Sequence, residues 1–485
     1  MKEEIKSKYQ LVVGLEVHAQ LLTKSKMFAA DSTAYGNLPN TQISVITLGH
    51  PGTLPKVNKK AIEYAVKMGL ACDCEITRTN IFSRKNYFYP DLPKGYQITQ
   101  DRGPICVGGE VPVILSDGTE RTVPLNRIHL EEDAGKSMHL AEEEDTLVDF
   151  NRAGTPLIEI VTEPAIHTAE EAYVFLNEIK KLVRYLDICD GNMEEGSLRC
   201  DANISVMLKG SNTLGKKVEV KNMNSFRNVV RAIEHEHERI IGILERGEEV
   251  ISETRTFDAS TGTTASMRTK EELNDYRYFP EPDLSPVVIS EEWLRSIQSD
   301  MPALPRELRK KFVDQYGLPD YDAGVLTDLK EMALWFEKLC QKTSNYKAAS
   351  NWLMGPIKST LNESAWHISE FPISTQTLAD LIGLVDDGKV SFSAASQKIY
   401  PEMLQAPGEG ALQIAQRLNL IQESDESSLI PVIQEVLNEN QAKVKEYKSG
   451  RKGLIGMFMG KVMQKSNGKA DPKVATKLLK ELLEN

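Results

Sequence analysis

The sequence is short of three things. It has no apolar run near the roughly 18 residues a membrane helix needs, so no membrane span is expected. It has only six cysteines in 485 residues, too few for a disulfide framework. The one close pair, Cys72-x-Cys74, has the wrong spacing for a zinc knuckle or a thioredoxin-type pair, so the thiols read as buried and structural. Cations are the third deficit: 58 Lys+Arg stand against 70 Asp+Glu, a formal net charge of -12. Taken as a whole, that balance argues against a protein that coats nucleic acid, because phosphate binding needs a cationic surface. The N-terminus, Met1-Lys-Glu-Glu-Ile-Lys-Ser-Lys8, has no signal-peptide core and is too acidic for a transit peptide. A cytoplasmic protein, or a mature organellar form, is the expectation.

Several catalytic motifs are also missing. Asp133-Ala-Gly-Lys-Ser137 contains Gly-Lys-Ser, but Leu130 stands where a P-loop needs its first Gly. Leu48-Gly-His-Pro-Gly52 is not a class I synthetase nucleotide signature. There is no Gly-x-Ser-x-Gly elbow and no zinc-protease His-Glu pair. No Cys–His nucleophile constellation stands out, so the chain gives no sign of liberating ammonia from an amide by itself.

What is present is an ordinary globular composition, 41% hydrophobic and 26% charged, in a length that suggests about three domains. The pattern is α+β. Residues 1–290 are strand-rich, with frequent turn signals and one long predicted helix from Phe226, N-capped by Ser225 and stopped by Gly247. Prolines 280, 282, 286, 302 and 305 mark a change to helical periodicity over 291–405. A second break, Gln405-Ala-Pro-Gly-Glu-Gly-Ala411, opens a small helical tail over 406–485. Asp471-Pro472 reads as the cap and first position of its last helix. Residues 441–485 carry 11 Lys+Arg against 4 Asp+Glu, a net of +7; the rest of the chain carries -19.

The chemistry lies in the strands. In Val12–Leu21, Val13, Leu15, Val17, Ala19 and Leu21 share one face, and Gly14, Glu16, His18 and Gln20 the other. A carboxylate and an imidazole two residues apart can share one cation; taken alone, they also read as a solvent-facing polar edge. The pattern recurs. His129, Glu131 and Asp133 alternate with Ile128 and Leu130. Arg199, Asp201, Asn203 and Ser205 oppose Cys200, Ala202, Ile204 and Val206. Glu219 and Lys221 oppose Val218 and Val220, and Pro156–Val161 offers Glu159. If these faces converge, the carboxylates crowd one cavity, and a divalent cation is the usual remedy for their repulsion. Otherwise they are unrelated solvated faces. Arg84-Lys-Asn-Tyr-Phe-Tyr-Pro-Asp-Leu-Pro-Lys94 mixes cations with aromatics, as phosphate contact and base stacking require, or as a packed loop would. Asp275-Tyr-Arg-Tyr-Phe-Pro-Glu-Pro-Asp283 has a similar mixture, which also reads as a packing hinge.

These segments, with Asn151-Arg-Ala-Gly-Thr-Pro-Leu-Ile-Glu-Ile160, Met193-Glu-Glu-Gly-Ser-Leu-Arg-Cys-Asp-Ala-Asn203, Glu219-Val-Lys-Asn222 and Ser350-Asn-Trp-Leu-Met354, carry a resemblance over essentially the whole chain. The sequence resembles the B-subunit family of the aspartyl/glutamyl-tRNA amidotransferases, of the bacterial or organellar three-subunit type. The resemblance implies a cradle-like catalytic domain, a helical domain and a basic tail domain that touches tRNA. It implies a ligase that forms a carbon–nitrogen bond, with ATP and Mg2+ as cofactors. The side-chain carboxylate of Glu on tRNA(Gln), or of Asp on tRNA(Asn), is phosphorylated and then amidated. The ammonia comes from glutamine on a separate amidase (glutaminase) subunit, braced by a small third subunit in a heterotrimer. The family's metal and catalytic positions map onto Glu16, His18, Glu131, Asp201 and Glu219. Strand facing and proximity in sequence add Asp133, Glu159, Glu195 and Asn203 to that site, and Lys85, Arg199, Lys221 and Asn203 are candidates for cofactor contact. Two other readings compete: a non-catalytic tRNA-binding scaffold, and a metal-dependent hydrolase unrelated to translation.

Overall fold

The computed structural model describes residues 3–139, 145–269, 276–421, 426–466 and 470–484. The chain divides into two compact units, Met1–Leu304 and Pro305–Asn485. Asp275, the first residue of the second aromatic motif, lies outside the described residues.

The first unit is organised by a ten-stranded sheet. Seven strands carry the argument: β1 (Tyr9–Gln20), β2 (Glu120–Glu132), β3 (Pro156–Thr162), β4 (Leu198–Leu208), β5 (Val218–Lys221), β6 (Glu253–Asp258) and β7 (Thr263–Thr269). Their order in space is β7-β6-β5-β4-β1-β3-β2, continued by Cys106–Val107 and Glu75–Ile76. β5 and β6 run parallel; every other pair in that order is antiparallel. β1 is central because its inner residues suit a buried sheet: Val13, Leu15, Val17 and Ala19 are each 0% exposed.

Helices α1 (Lys59–Ala71), α2 (Ala169–Tyr185) and α3 (Phe226–Glu245) share one apolar cluster with those inner residues. Each start is written in sequence. Asn58 accepts from the Lys60 and Ala61 N–H groups. Thr168 and Glu171 form a reciprocal capping box on α2. Ser225 accepts from the Asn228 N–H, and Gly247 at φ 72° closes α3, as the sequence predicts. Each Val or Ile buried here is worth about 1.5–3 kcal/mol. With one face of the sheet sealed by helices, the alternation of side chains sends the charged residues to the other.

A smaller sheet joins Ser83–Asn86 to Tyr96–Thr99 on one side and Arg277–Pro280 on the other. Arg277 pairs with Asn86 from nearly 200 residues away in sequence, and Tyr278 lies directly opposite Lys85. The six cysteines are buried free thiols. Burial pushes those of Cys74, Cys189 and Cys340 up to about 12, so they are inert at neutral pH.

The first unit runs past the break expected near residue 290. The helix Glu291–Ser299 packs on α1, and Leu294 and Ile297 join the sheet's apolar cluster. The second unit is helical throughout its described residues. Within it, the helix Ala411–Arg417 buries Ala411, Ile414 and Ala415 and packs against Thr375–Asp386. Residues from Leu429 onward form a separate cluster around Ile433, Val436, Phe458, Val462, Leu478 and Leu479. Asp471 caps the last helix, Pro472–Glu484, by accepting from the Lys473 and Val474 N–H groups.

Lys26 is buried in the first unit, with its Nζ 3.4 Å from the Phe150 carbonyl oxygen. Burial lowers this ammonium from 10.5 to about 8, although Asp31, Glu132 and Asp149 pull the other way. Between those two values the unfolded chain holds the proton and the folded chain has released it. Stability from this group therefore rises with pH across that window. Lys26→Met is expected to melt above the parent at pH 7.5, with the gap narrowing by pH 10. Parallel thermal melts check this, and a gap that does not change with pH contradicts it.

Candidate active site

β1 sits between β3 and β4, and the register across these strands decides which charges meet. His18 lies opposite Glu159 on one side and Arg199 on the other; Glu16 lies opposite Asp201. Glu159 in turn lies opposite His129, and Asn203 opposite Glu219. The polar faces read from the sequence are therefore one face.

On that face the potential ligands form two groups. His18, Glu131 and Glu159 offer atoms within 4.8 Å of one another, and so do Glu16, Asp201 and Glu219. The groups are adjacent, since Glu16 and His18 are about 7 Å apart along β1. The five positions expected to share one metal are thus divided, and Glu159 completes the first group. Among the described residues, Asp133 and Glu195 belong to neither. Glu195 is exposed on the turn before β4. Asp133 is buried and accepts from Gln20 Nε2 at 2.7 Å and Arg199 Nη2 at 2.8 Å, with Arg152 at 3.7 Å. Its carboxylate is an anchor for guanidinium groups.

The electrostatics follow from this crowding. Burial pushes the Glu16 carboxyl up, and the Glu159 charge adds to it, against the Asn203 amide at 2.8 Å. Burial also opposes charge on Glu219, but the Lys221 ammonium at 2.9 Å and the Thr254 hydroxyl at 2.8 Å hold it below the usual range. Lys221 bridges Asp201 and Glu219, so a cation already stands in the second group. In the first group, burial would lower His18, yet Glu159 at 3.4 Å and Glu131 at 3.5 Å raise it. His129 approaches Glu159 at 3.2 Å from the neighbouring strand β2. Burial disfavours its charge too, but Glu131 and Glu159 raise it to about 9. Its Nδ1 is buried without a hydrogen-bond partner among the described residues. Glu159, facing two imidazoles, stays well below the usual carboxylate range despite its burial.

Three of the four candidate cofactor contacts, Arg199, Asn203 and Lys221, lie on the same face. Arg199 flanks His18, Lys221 flanks Asp201, and Asn203 orients Glu16. Lys85 comes from the smaller sheet; burial opposes its charge, but Glu131 raises its ammonium. Oxygen-rich groups with nearby cations suit a hard divalent ion and a phosphate chain. The Gly-Lys-Ser sequence has a different explanation. A Cβ on Gly135 would lie 2.9 Å from the carbonyl oxygens of both Asp91 and Asp149, so glycine is there for close packing.

Sequence reasoning named His129 as a face residue without giving it a role. Its alternation with Glu131 was the available signal. The contacts of Thr99 with Glu131 and of Thr254 with Glu219 carried no signal at all.

Comparison with known proteins matches residues 11–295 to the model of the GatB/GatE catalytic domain and residues 334–483 to that of the GatB domain. The B subunit of the aspartyl/glutamyl-tRNA(Asn/Gln) amidotransferase of Thermodesulfovibrio yellowstonii is 48% identical over 475 residues, 98% of this chain and 99% of that protein. The proteins of the same name from Trichlorobacter lovleyi and Caldanaerobacter subterraneus are each 47% identical over 476 residues, again 98% of this chain and 99% of theirs.

Proposed function

The chain belongs to the family of aspartyl/glutamyl-tRNA(Asn/Gln) amidotransferase B subunits, and we propose that its polar sheet face activates and amidates an aminoacyl side chain on tRNA. The observation that carries this reading is the convergence of two ligand groups and two cations, Arg199 and Lys221, on one face of the sheet, with a third cation, Lys85, brought near Glu131 and Glu159 by the smaller sheet.

The chemistry sets the requirements. A carboxylate is a poor electrophile. Attack by its oxygen on the γ-phosphorus of ATP forms a carboxyl O–P bond, breaks the bond to the bridging oxygen, and releases ADP. Ammonia then adds to the acyl carbon through its lone pair, loses a proton, and expels phosphate. The donors present fit Mg2+, which Glu16, Asp201 and Glu219 would hold in one group and His18, Glu131 and Glu159 in the other; it would supply charge neutralisation to the phosphates. Asn203 orients Glu16. Arg199, steadied by Asp133, and Lys85 direct N–H donors at the phosphate. Lys221 exchanges its carboxylate partners for the nucleotide. Glu159 stays anionic beside its two imidazoles, and the proton that ammonia sheds leaves with the departing phosphate.

We assign ammonia supply to a partner amidase, with a small third protein completing the heterotrimer, because no Cys–His nucleophile constellation stands out in the sequence. The basic tail is read as a tRNA contact, with a catalytic unit over 1–304 and helical and tail segments after it. No helix among the described residues is long and apolar enough to cross a membrane, and a cytoplasmic or organellar-matrix site is where charged tRNA is met. The test is co-purification with the partner amidase, then conversion of Glu-tRNA(Gln) and Asp-tRNA(Asn) with ATP and glutamine. Product that needs all three components supports the reading. tRNA binding without ATP turnover would leave only a scaffold.

A further inference from the structure

The motif around Tyr276–Asp283 contributes to neither ligand group, yet it is built against the site. Arg277–Pro280 pairs with Ser83–Asn86 and places Tyr278 opposite Lys85. The next residue along fixes the pairing. Glu281, whose side chain is fully buried, accepts from Arg84 Nε at 2.7 Å and Nη2 at 2.8 Å. Such a bidentate pair locks one strand's position on the other. At the far end, the Tyr276 ring meets Lys85, with Nζ 4.5 Å from the ring centroid. Tyr87 supports that ring edge-to-face at 5.4 Å and itself lies 5.8 Å from the ammonium.

The Lys85 ammonium makes no hydrogen bond and no close ion pair among the described residues; rings are its close partners. This matters chemically. A carboxylate partner would occupy the N–H donors and compete with a phosphate for them. A ring face attracts the charge through its quadrupole and leaves the donors free. It also restrains a four-carbon stem that would otherwise lose rotamer freedom when ordered by substrate.

We propose that Tyr276 is a positioning residue: its ring holds the Lys85 ammonium above Glu131 and Glu159 with its donors free for the transferring phosphate. The proposal rests on the reading of Lys85 as a phosphate contact, given above. It assigns the aromatic motif the task of aiming a cation across a gap of almost 200 residues in sequence.

The intact complex tests it. Tyr276→Leu is expected to lower kcat about tenfold, and Tyr276→Phe, which keeps the ring, to recover most of that loss. Mn2+ binding should match the parent in both variants. In a Lys85→Met complex, Tyr276→Leu should cause no further loss, because the two residues act as a unit. A second readout is independent of turnover. Acylation of Lys85 by a water-soluble succinimidyl ester, followed by mass spectrometry, should quicken about fivefold in Tyr276→Leu and little in Tyr276→Phe. Equal losses in both backgrounds, a Phe variant as damaged as Leu, or one acylation rate for all three proteins would each overturn the proposal. If Lys85→Met turns over like the parent, the phosphate-contact reading fails, and the acylation rates still decide whether the ring holds the ammonium.

Discussion

Asp201→Asn should abolish ATP-dependent activation of charged tRNA, lowering turnover by about 10³-fold or more while the complex still assembles. Asp201 stands between Glu16 and Glu219 in one ligand group and also faces Lys221. Asn keeps the volume and one oxygen but removes the charge. Lys221 would then lean on Glu219 alone, and a divalent ion would lose one of three carboxylates. The fold has little reason to fail: the side chain is 19% exposed, on the polar face, away from the apolar cluster under the helices. The measurement pairs single-turnover phosphorylation of Glu-tRNA(Gln) with a Mn2+ titration and a thermal melt. Full activity would remove Asp201 from the site. Lost activity with intact Mn2+ binding would make it a partner of Lys221 and not a ligand.

The second large effect belongs to the tail. Triple reversal of Lys445, Lys448 and Lys452 to Glu is expected to weaken tRNA binding about 10–100-fold near 100 mM salt. It should also flatten the plot of log affinity against log salt by about 2–3. These three are exposed on helical segments of the tail. Other tail cations are committed elsewhere: Lys443 and Arg451 pair with Glu446, and Lys465 pairs with Glu435 and Glu439. Turnover at saturating tRNA should be unchanged, since the substitutions lie outside the carboxylate groups. An unchanged salt slope would reduce the basic tail to a solubility device. A truncation should begin at residue 426. Removing everything after 405 would also strip Ala411, Ile414 and Ala415 from their packing on Thr375–Asp386.

The overall charge of -12 hid this division of labour. Period-two alternation revealed the polar faces, because a strand has only two sides and one of them was plainly apolar. The α3 boundaries were legible for a similar reason: Ser225 and Gly247 are local signals whose chemistry does not depend on the rest of the chain. Register was not legible. That Glu16 meets Asp201 and His18 meets Glu159 is decided by pairing between segments more than 130 residues apart, and no local pattern encodes it. The division of five expected ligands into two groups therefore emerged only in three dimensions. So did the role of Asp133. Its place on the face fitted a metal ligand, but Gln20 and Arg199 both donate to its Oδ2 and the Ala134 N–H donates to its Oδ1. The helix Glu291–Ser299 shows the same limit from the apolar side. The prolines before it look like a boundary, yet Leu294 and Ile297 return to the first unit's core.

The central place of β1 has a consequence for synthesis. It is the first long strand to leave the ribosome, yet its two neighbours begin only at Pro156 and Leu198. At about 5–20 residues per second, some 7–30 s pass before the nearer one exists, and longer before the sheet can close around it. Through that interval Leu11, Val12, Val13, Leu15 and Val17 form an unpaired, apolar β-segment, the kind that adds readily to a second copy of itself. Glu16, the one acid on its other side, is repulsive in such a stack until Asn203 and Lys221 arrive. Glu16 thus serves the nascent chain before it serves the finished site, as a charge that keeps neighbouring copies apart.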